Sequence, residues 1–183
     1  MEESKVTQAA LWWHRFRNRK KVGNKSLGFS NKGKGPKSFL IILPDHSTEA
    51  DLASRFILSM KNALGPYRAK KIKILGNSVV GNLLEINKFN DFILYSEEDL
   101  NKLGLPDKEL ISECNQIEVD AVLDLNQDFS PISATLCAEI IAPIKLGFYS
   151  GQGEDYYNVM VRRTGEELAE SGFKEIFQII GIG

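Results

Sequence analysis

Short apolar runs, each closed by a turn signal and followed by a helical pattern, constrain this chain more than any other feature. Phe39–Leu43 is apolar at every position and ends at Pro44, the mark of a strand buried on both faces. Residues 48–64 follow as a predicted helix, with Leu52, Phe56, Met60 and Leu64 in i, i+4 register and a stop at Gly65-Pro66. Ile72–Leu75, Phe92–Tyr95, Ala121–Leu125 and Ile144–Phe148 read as further strands, with a short sixth at Asn158–Val161. Helices are expected between them at Ser78–Ile86, Asp107–Cys114 and Ile132–Ile141, and a closing helix at Gly165–Ile179. Ser96 with Asp99 three residues on has the form of a capping box, and Asp128 or Ser130 is placed to cap the helix that Pro131 opens. Strand-helix alternation of this kind predicts an α/β protein: a three-layer, Rossmann-like, mostly parallel sheet of about six strands with right-handed crossovers.

Charge divides the chain where the alternation begins. Residues 1–38 hold ten basic and two acidic side chains, while the remainder holds 13 basic and 22 acidic ones, so a formal charge of −1 conceals a basic arm on an acidic body. The expected domains are therefore an arm over 1–38 and an α/β domain over 39–183, long enough to bury a core without disulfides or metal. Within the arm, Val6, Ala9, Ala10, Trp12, Trp13 and Phe16 share one helical face, and Arg15, Arg17, Arg19, Lys20 and Lys21 follow or surround it. Aromatic rings beside cations suit an anionic membrane surface. The same set suits the backbone and bases of RNA. Docking on the body or on a protein assembly is the third reading, plain disorder the bland one. Residues 22–38, rich in Gly, Asn, Ser and Lys around Pro36, read as a flexible linker.

Several chemistries lack their signatures. No G-x-x-x-x-G-K-[ST] and no G-x-G-x-x-G after the first strand occur, so no nucleotide cofactor is expected. Two histidines and two scattered cysteines give no metal spacing, and G-x-S-x-G is absent. Cys114 and Cys137 suggest a reducing compartment and small buried hydrophobes. No run of apolar residues is long enough to span a bilayer, and the N-terminus lacks the order of a secretory signal. The expected location is cytoplasmic, at the inner membrane face if the arm binds lipid.

In doubly wound sheets ligands sit beyond the carboxyl ends of the strands, where strand order reverses. Two loops qualify. Asp45 and His46 follow the first strand, as an acid and an imidazole that can serve as general base and orienter; alternatively Asp45 or Ser47 caps the next helix and His46 is solvated. Asp124, Asn126 and Gln127 follow the fourth strand, where alternation puts Asp124 and Asn126 on one side and Leu125 on the other. Polar groups gathered there can bind the hydroxyls of a sugar-like ligand.

Two stretches carry a family resemblance. Lys73-Ile-Leu-Gly-Asn-Ser-Val-Val-Gly-Asn-Leu-Leu-Glu-Ile-Asn-Lys-Phe-Asn-Asp-Phe-Ile-Leu-Tyr95 and Val119-Asp-Ala-Val-Leu-Asp-Leu-Asn126 through Pro143-Ile-Lys-Leu-Gly-Phe148 resemble the N-terminal half of glycosyltransferase family 9, the heptosyltransferase-like enzymes of bacterial envelope synthesis. The resemblance implies the acceptor-side, Rossmann-like half of the two-domain GT-B architecture, with Asp45 at the place of the general base. It also implies that the donor sugar nucleotide belongs to a C-terminal half that a chain ending at Gly183 does not contain. The expectation is a single-domain, non-catalytic relative tethered by its arm. The alternatives are a glycosyltransferase completed by a partner chain or dimer, and an RNA- or ribosome-associated protein.

Overall fold

Buried strands that alternate with helices return in the same direction each time, because the crossover helix carries the chain back. The computed structural model, which describes residues 35–84, 91–162 and 169–181, has this arrangement. Strands β1 (Phe39–Ile42), β2 (Ile72–Asn77), β3 (Phe92–Tyr95), β4 (Ala121–Asp124), β5 (Ile144–Phe148) and β6 (Val159–Val161) form one sheet in the order β3-β2-β1-β4-β5-β6. Every adjacent pair is parallel. Helices α1 (Ala50–Ala69), α2 (Ser78–Leu83), α3 (Lys108–Cys114), α4 (Pro131–Glu139) and α5 (Ala169–Ile179) cover the two faces. The fold is the predicted α/β, Rossmann-like one. The order reverses between β1 and β4, which fixes the switch point there.

The period-2 geometry of a strand divides the apolar runs between the two layers. Phe39, Ile41 and Leu43, with Ile74, Leu123 and Phe148, face α1 and α5, where Phe56 stacks on Phe177 with ring centroids 4.9 Å apart and meets Phe173 at a tilt. Leu40 and Ile42, with Leu75, Val122 and Tyr95, face α3 and α4. Phe39–Leu43 is fully buried because β1 has a sheet neighbour on each side and a helical layer on each face. Cys114 and Cys137 lie buried in the second layer as free thiols, each pushed up to about 12 by burial.

Helix ends follow local chemistry. Asp107 caps α3 through Leu110 N–H, Asn77 caps α2 through Val79 N–H, and the Ser96–Asp99 box forms around the 3-10 turn Glu97–Asp99. The predicted stop at Gly65-Pro66 is a break instead. Gly65 (φ 73°) leaves helical space, and Pro66, whose missing N–H costs nothing at the start of a turn, opens a last turn ending at Ala69. The helix expected at Ile132–Ile141 ends at Glu139 because Ile140 is extended.

The predicted arm residues Trp12, Trp13, Arg15, Phe16, Arg17, Arg19, Lys20 and Lys21 lie outside the described residues. Among the described residues no helix is long and apolar enough to cross a membrane, and no His, Cys, Asp and Glu group has the grouping of a metal site.

Candidate functional site

At the carboxyl ends of β1 and β4 the backbone diverges, because α1 leaves toward one face of the sheet and α4 toward the other. The crevice between them holds a continuous hydrogen-bonded chain of side chains. Asp124, the last residue of β4, is 1% exposed, and its alternation partner Asn126 is also buried. Asp124 Oδ1 accepts from the Asn126 backbone N–H (3.0 Å) and from Asn126 Nδ2 (2.8 Å). Its Oδ2 accepts from the Tyr157 hydroxyl (2.5 Å). The Tyr157 ring crosses β5 at Gly147, where a Cβ would stand 3.0 Å from the ring; glycine is the residue that lets this hydroxyl reach Asp124.

Asn126 then joins β4 to the loop after β1. Its Oδ1 accepts the Asp45 N–H (2.9 Å), and its Nδ2 also donates to Ser133 Oγ (2.8 Å) and the Leu43 carbonyl (3.3 Å). Asp45, half-buried, accepts at both carboxylate oxygens: Oδ1 from the Tyr95 hydroxyl (3.0 Å) and Oδ2 from Ser130 Oγ (2.5 Å). Ser130 in turn caps α4 by accepting Ser133 N–H (3.0 Å). The network therefore draws on the loop after β1, the end of β3, β4 and the loop after it, the first turn of α4, and the β5–β6 connection.

Burial sets its electrostatics. Removal from water pushes the Asp124 carboxyl up to about 6; the hydrogen bonds from Tyr157 and Asn126 oppose that shift, and the Asp45 charge adds to it. Tyr95 and Tyr157 are held above the ordinary phenol range, first by burial and then by the Asp45 and Asp124 charges respectively. Both phenols are donors to carboxylates.

Asp45, Asp124 and Asn126, predicted from their loops, are thus brought into one network. His46 is not: it is exposed and caps nothing with its side chain. Gln127 is half-buried beside Asn126. Neither Asp45 nor Ser47 caps α1, whose preceding residue Glu49 makes no side-chain capping bond. Tyr95, Ser133 and Tyr157 carry no local sequence signal for this role. Tyr95 reads as a strand residue, and Tyr157 arrives from a connection 33 residues after Asp124. A cleft of about 430 Å³ lies between the start of α1 and the end of α2, lined by Ser47, Thr48, Asp51 and Ser54 against Leu83 and Leu84, and no residue of the network lines it.

Ser130→Ala removes a helix cap and one of the donors to Asp45 together. A loss of about 1–2 kcal/mol in urea unfolding is expected, with unchanged dependence on denaturant. A smaller loss than Ser130→Gly produces would contradict a capping role.

No protein-family model matches the sequence, and no curated protein does. Among solved structures, this chain is similar to a glycosyl transferase family 9 protein from Veillonella parvula (TM-score 0.57, 16% identity, covering 80% of this chain and 42% of that one). It is similar also to the E. coli heptosyltransferase WaaC with ADP (TM-score 0.56, 13% identity, 78% of this chain and 46% of that one) and to the same enzyme with ADP-2-deoxy-2-fluoro heptose (TM-score 0.51, 13% identity, 80% and 49%). The likeness is one of fold, and the chain spans less than half the length of these structures.

Proposed function

We propose that this chain is a non-catalytic relative of the acceptor-side half of glycosyltransferase family 9, held by its basic N-terminal arm at an anionic membrane surface. One observation carries the non-catalytic reading. Asp45, the acid at the place of the family's general base, has both carboxylate oxygens engaged by the Tyr95 and Ser130 hydroxyls. A general base must reach the proton it abstracts, and one acceptor site on each Asp45 oxygen is instead used to tie β3 to α4. The tether is supported by the ten cations within residues 1–38 beside Trp12, Trp13 and Phe16.

Two measurements test the reading. Incubated with ADP-heptose and a lipid-linked sugar acceptor, the full chain should release no more ADP than Asp45→Asn does. ADP release that Asp45→Asn abolishes would establish the opposite, a glycosyltransferase completed by a partner chain or second copy. For the tether, the full chain should float with phosphatidylglycerol-containing vesicles. Substituting glutamine for Arg15, Arg17, Arg19, Lys20 and Lys21 should weaken partition by about a hundredfold or more, at about 1 kcal/mol per cation. Equal flotation of that variant would sink the tether, and co-purifying RNA lost steeply with salt would favour a nucleic-acid role.

A further inference from the structure

At the pole of the sheet opposite the switch point, the last turn of α1 and the residues after it present Pro66, Tyr67, Arg68, Lys70 and Lys71. Tyr67 is 86% exposed, the most exposed large hydrophobic side chain among the described residues. The break at Gly65 (φ 73°) sets this turn apart from the helix whose apolar face packs on the sheet. Lys70 and Lys71 are exposed, and among the described residues neither has an ion-pair partner. Arg68 Nη2 donates to the Pro36 carbonyl (2.8 Å), so the root of the basic arm is fastened to this same turn.

The ordinary account of cations at a helix C-terminus is that they complement the helix dipole. It covers Arg68 and Lys70 and leaves the Tyr67 ring in water without explanation. A tyrosine beside cations is the composition found where a bilayer meets water: the ring sits at headgroup depth and the ammonium groups meet lipid phosphate. The carboxylates of this pole are mostly elsewhere. Asp120 is bonded to the Lys37 and Ser38 N–H groups on the β4 side of β1 with Glu118 before it, and Glu113 and Glu139 end α3 and α4 on the other face of the sheet. Asp91, at the start of β3 and so on the side of the two lysines, is paired with Lys73. Lys70 and Lys71 stand on the β2 side.

We infer that Tyr67, Arg68, Lys70 and Lys71 form a second contact for anionic lipid headgroups, next to the root of the arm, which lays the amino pole of the sheet on the bilayer and turns the Asp45–Asp124 crevice away from it. This rests on the proposed tether and adds to it a surface and an orientation. Attachment through the arm alone leaves the body free to tumble; attachment through the arm and a basic, aromatic turn at its root does not.

The test uses the full chain and vesicles of phosphatidylcholine with 30% phosphatidylglycerol, a composition of about one anionic lipid in three, enough for a basic cluster to sense. An environment-sensitive fluorophore is attached at Tyr67→Cys or, at the opposite pole, at His46→Cys; Cys114 and Cys137 are fully buried and out of reach of the label. The label at 67 should shift to shorter wavelength and be quenched by lipid-borne quencher, while the label at 46 should stay in water. Lys70→Glu with Lys71→Glu should weaken vesicle partition about thirtyfold at low salt. Flotation of the full chain with the label at 67 still in water, and with partition unchanged by the two glutamates, overturns this contact and leaves the tether standing. Absence of flotation overturns both. Vesicle binding that is lost while single-stranded RNA binds in a Lys70- and Lys71-dependent way overturns the assignment to lipid.

Discussion

Replacing Asp124 with asparagine is expected to remove about 3 kcal/mol of pH-dependent stability between the carboxyl's ordinary value of 3.8 and its folded value of about 6. In this window the unfolded chain ionises Asp124 and the folded chain keeps it protonated. The folded state then binds the extra proton, so stability from this group is full below 3.8 and falls as pH rises to about 6, above which the loss is constant. Asparagine mimics the protonated acid: its oxygen can accept from Asn126, and its amide can donate to the Tyr157 hydroxyl, which then acts as acceptor. Urea unfolding of both proteins at pH 4, 5, 6 and 7 reads the difference directly, because the two proteins differ in this one titrating group. The gap should move toward the wild type by about 2 kcal/mol as pH falls from 7 to 4. Parallel curves would mean that Asp124 titrates as an exposed carboxylate does, and that the crevice is wet.

Asn126→Ala is the second large effect. One amide satisfies the Asp45 N–H and the Leu43 carbonyl on one side of the crevice, and Asp124 and Ser133 on the other. Truncation leaves the first two without these partners and deprives a buried carboxyl of a donor, at about 1–3 kcal/mol for each buried group left unsatisfied, of which relaxation and entering water return a part. A net loss of about 3 kcal/mol is expected in chemical denaturation, larger than that of Ser130→Ala. A loss below about 1 kcal/mol would show that water replaces the amide and that the two loops are not held by it.

How much of this was legible in the residues depended on distance along the chain. β3 and β5 match the expected bounds of Phe92–Tyr95 and Ile144–Phe148; the first is an unbroken apolar run between Asp91 and Ser96, and the second opens just after Pro143. Alternation put Asp124 and Asn126 on one side of the strand, where they are hydrogen-bonded, and of the two caps open before Pro131, Asp128 or Ser130, it is Ser130 that caps. What was not legible was the second task of Ser130 toward Asp45, 85 residues away, or the use of Tyr95 and Tyr157 as donors. Those contacts depend on sheet order, which places β3 and the β5–β6 connection within reach of β1 and β4. The Gly65-Pro66 pair was read as a terminator because both residues punctuate helices. A glycine at positive φ followed by proline restarts one equally well.

The hydroxyls of Tyr95 and Ser130 have a consequence for anything that enters the crevice. A sugar reaches an acidic residue by offering it hydroxyl donors, and Asp45 already holds two such donors, each tethered to the same chain. An intramolecular group of this kind acts at an effective concentration in the millimolar range or above, roughly that of a short flexible linker and greater when the group is held rigid. Each carboxylate oxygen has a second lone pair, so an incoming diol either shares Asp45 with these two donors or displaces them, and in displacing them gains no more hydrogen bonds to Asp45 than it breaks. A ligand entering the crevice therefore meets a carboxylate already partly satisfied by a tyrosine and a serine of the same chain.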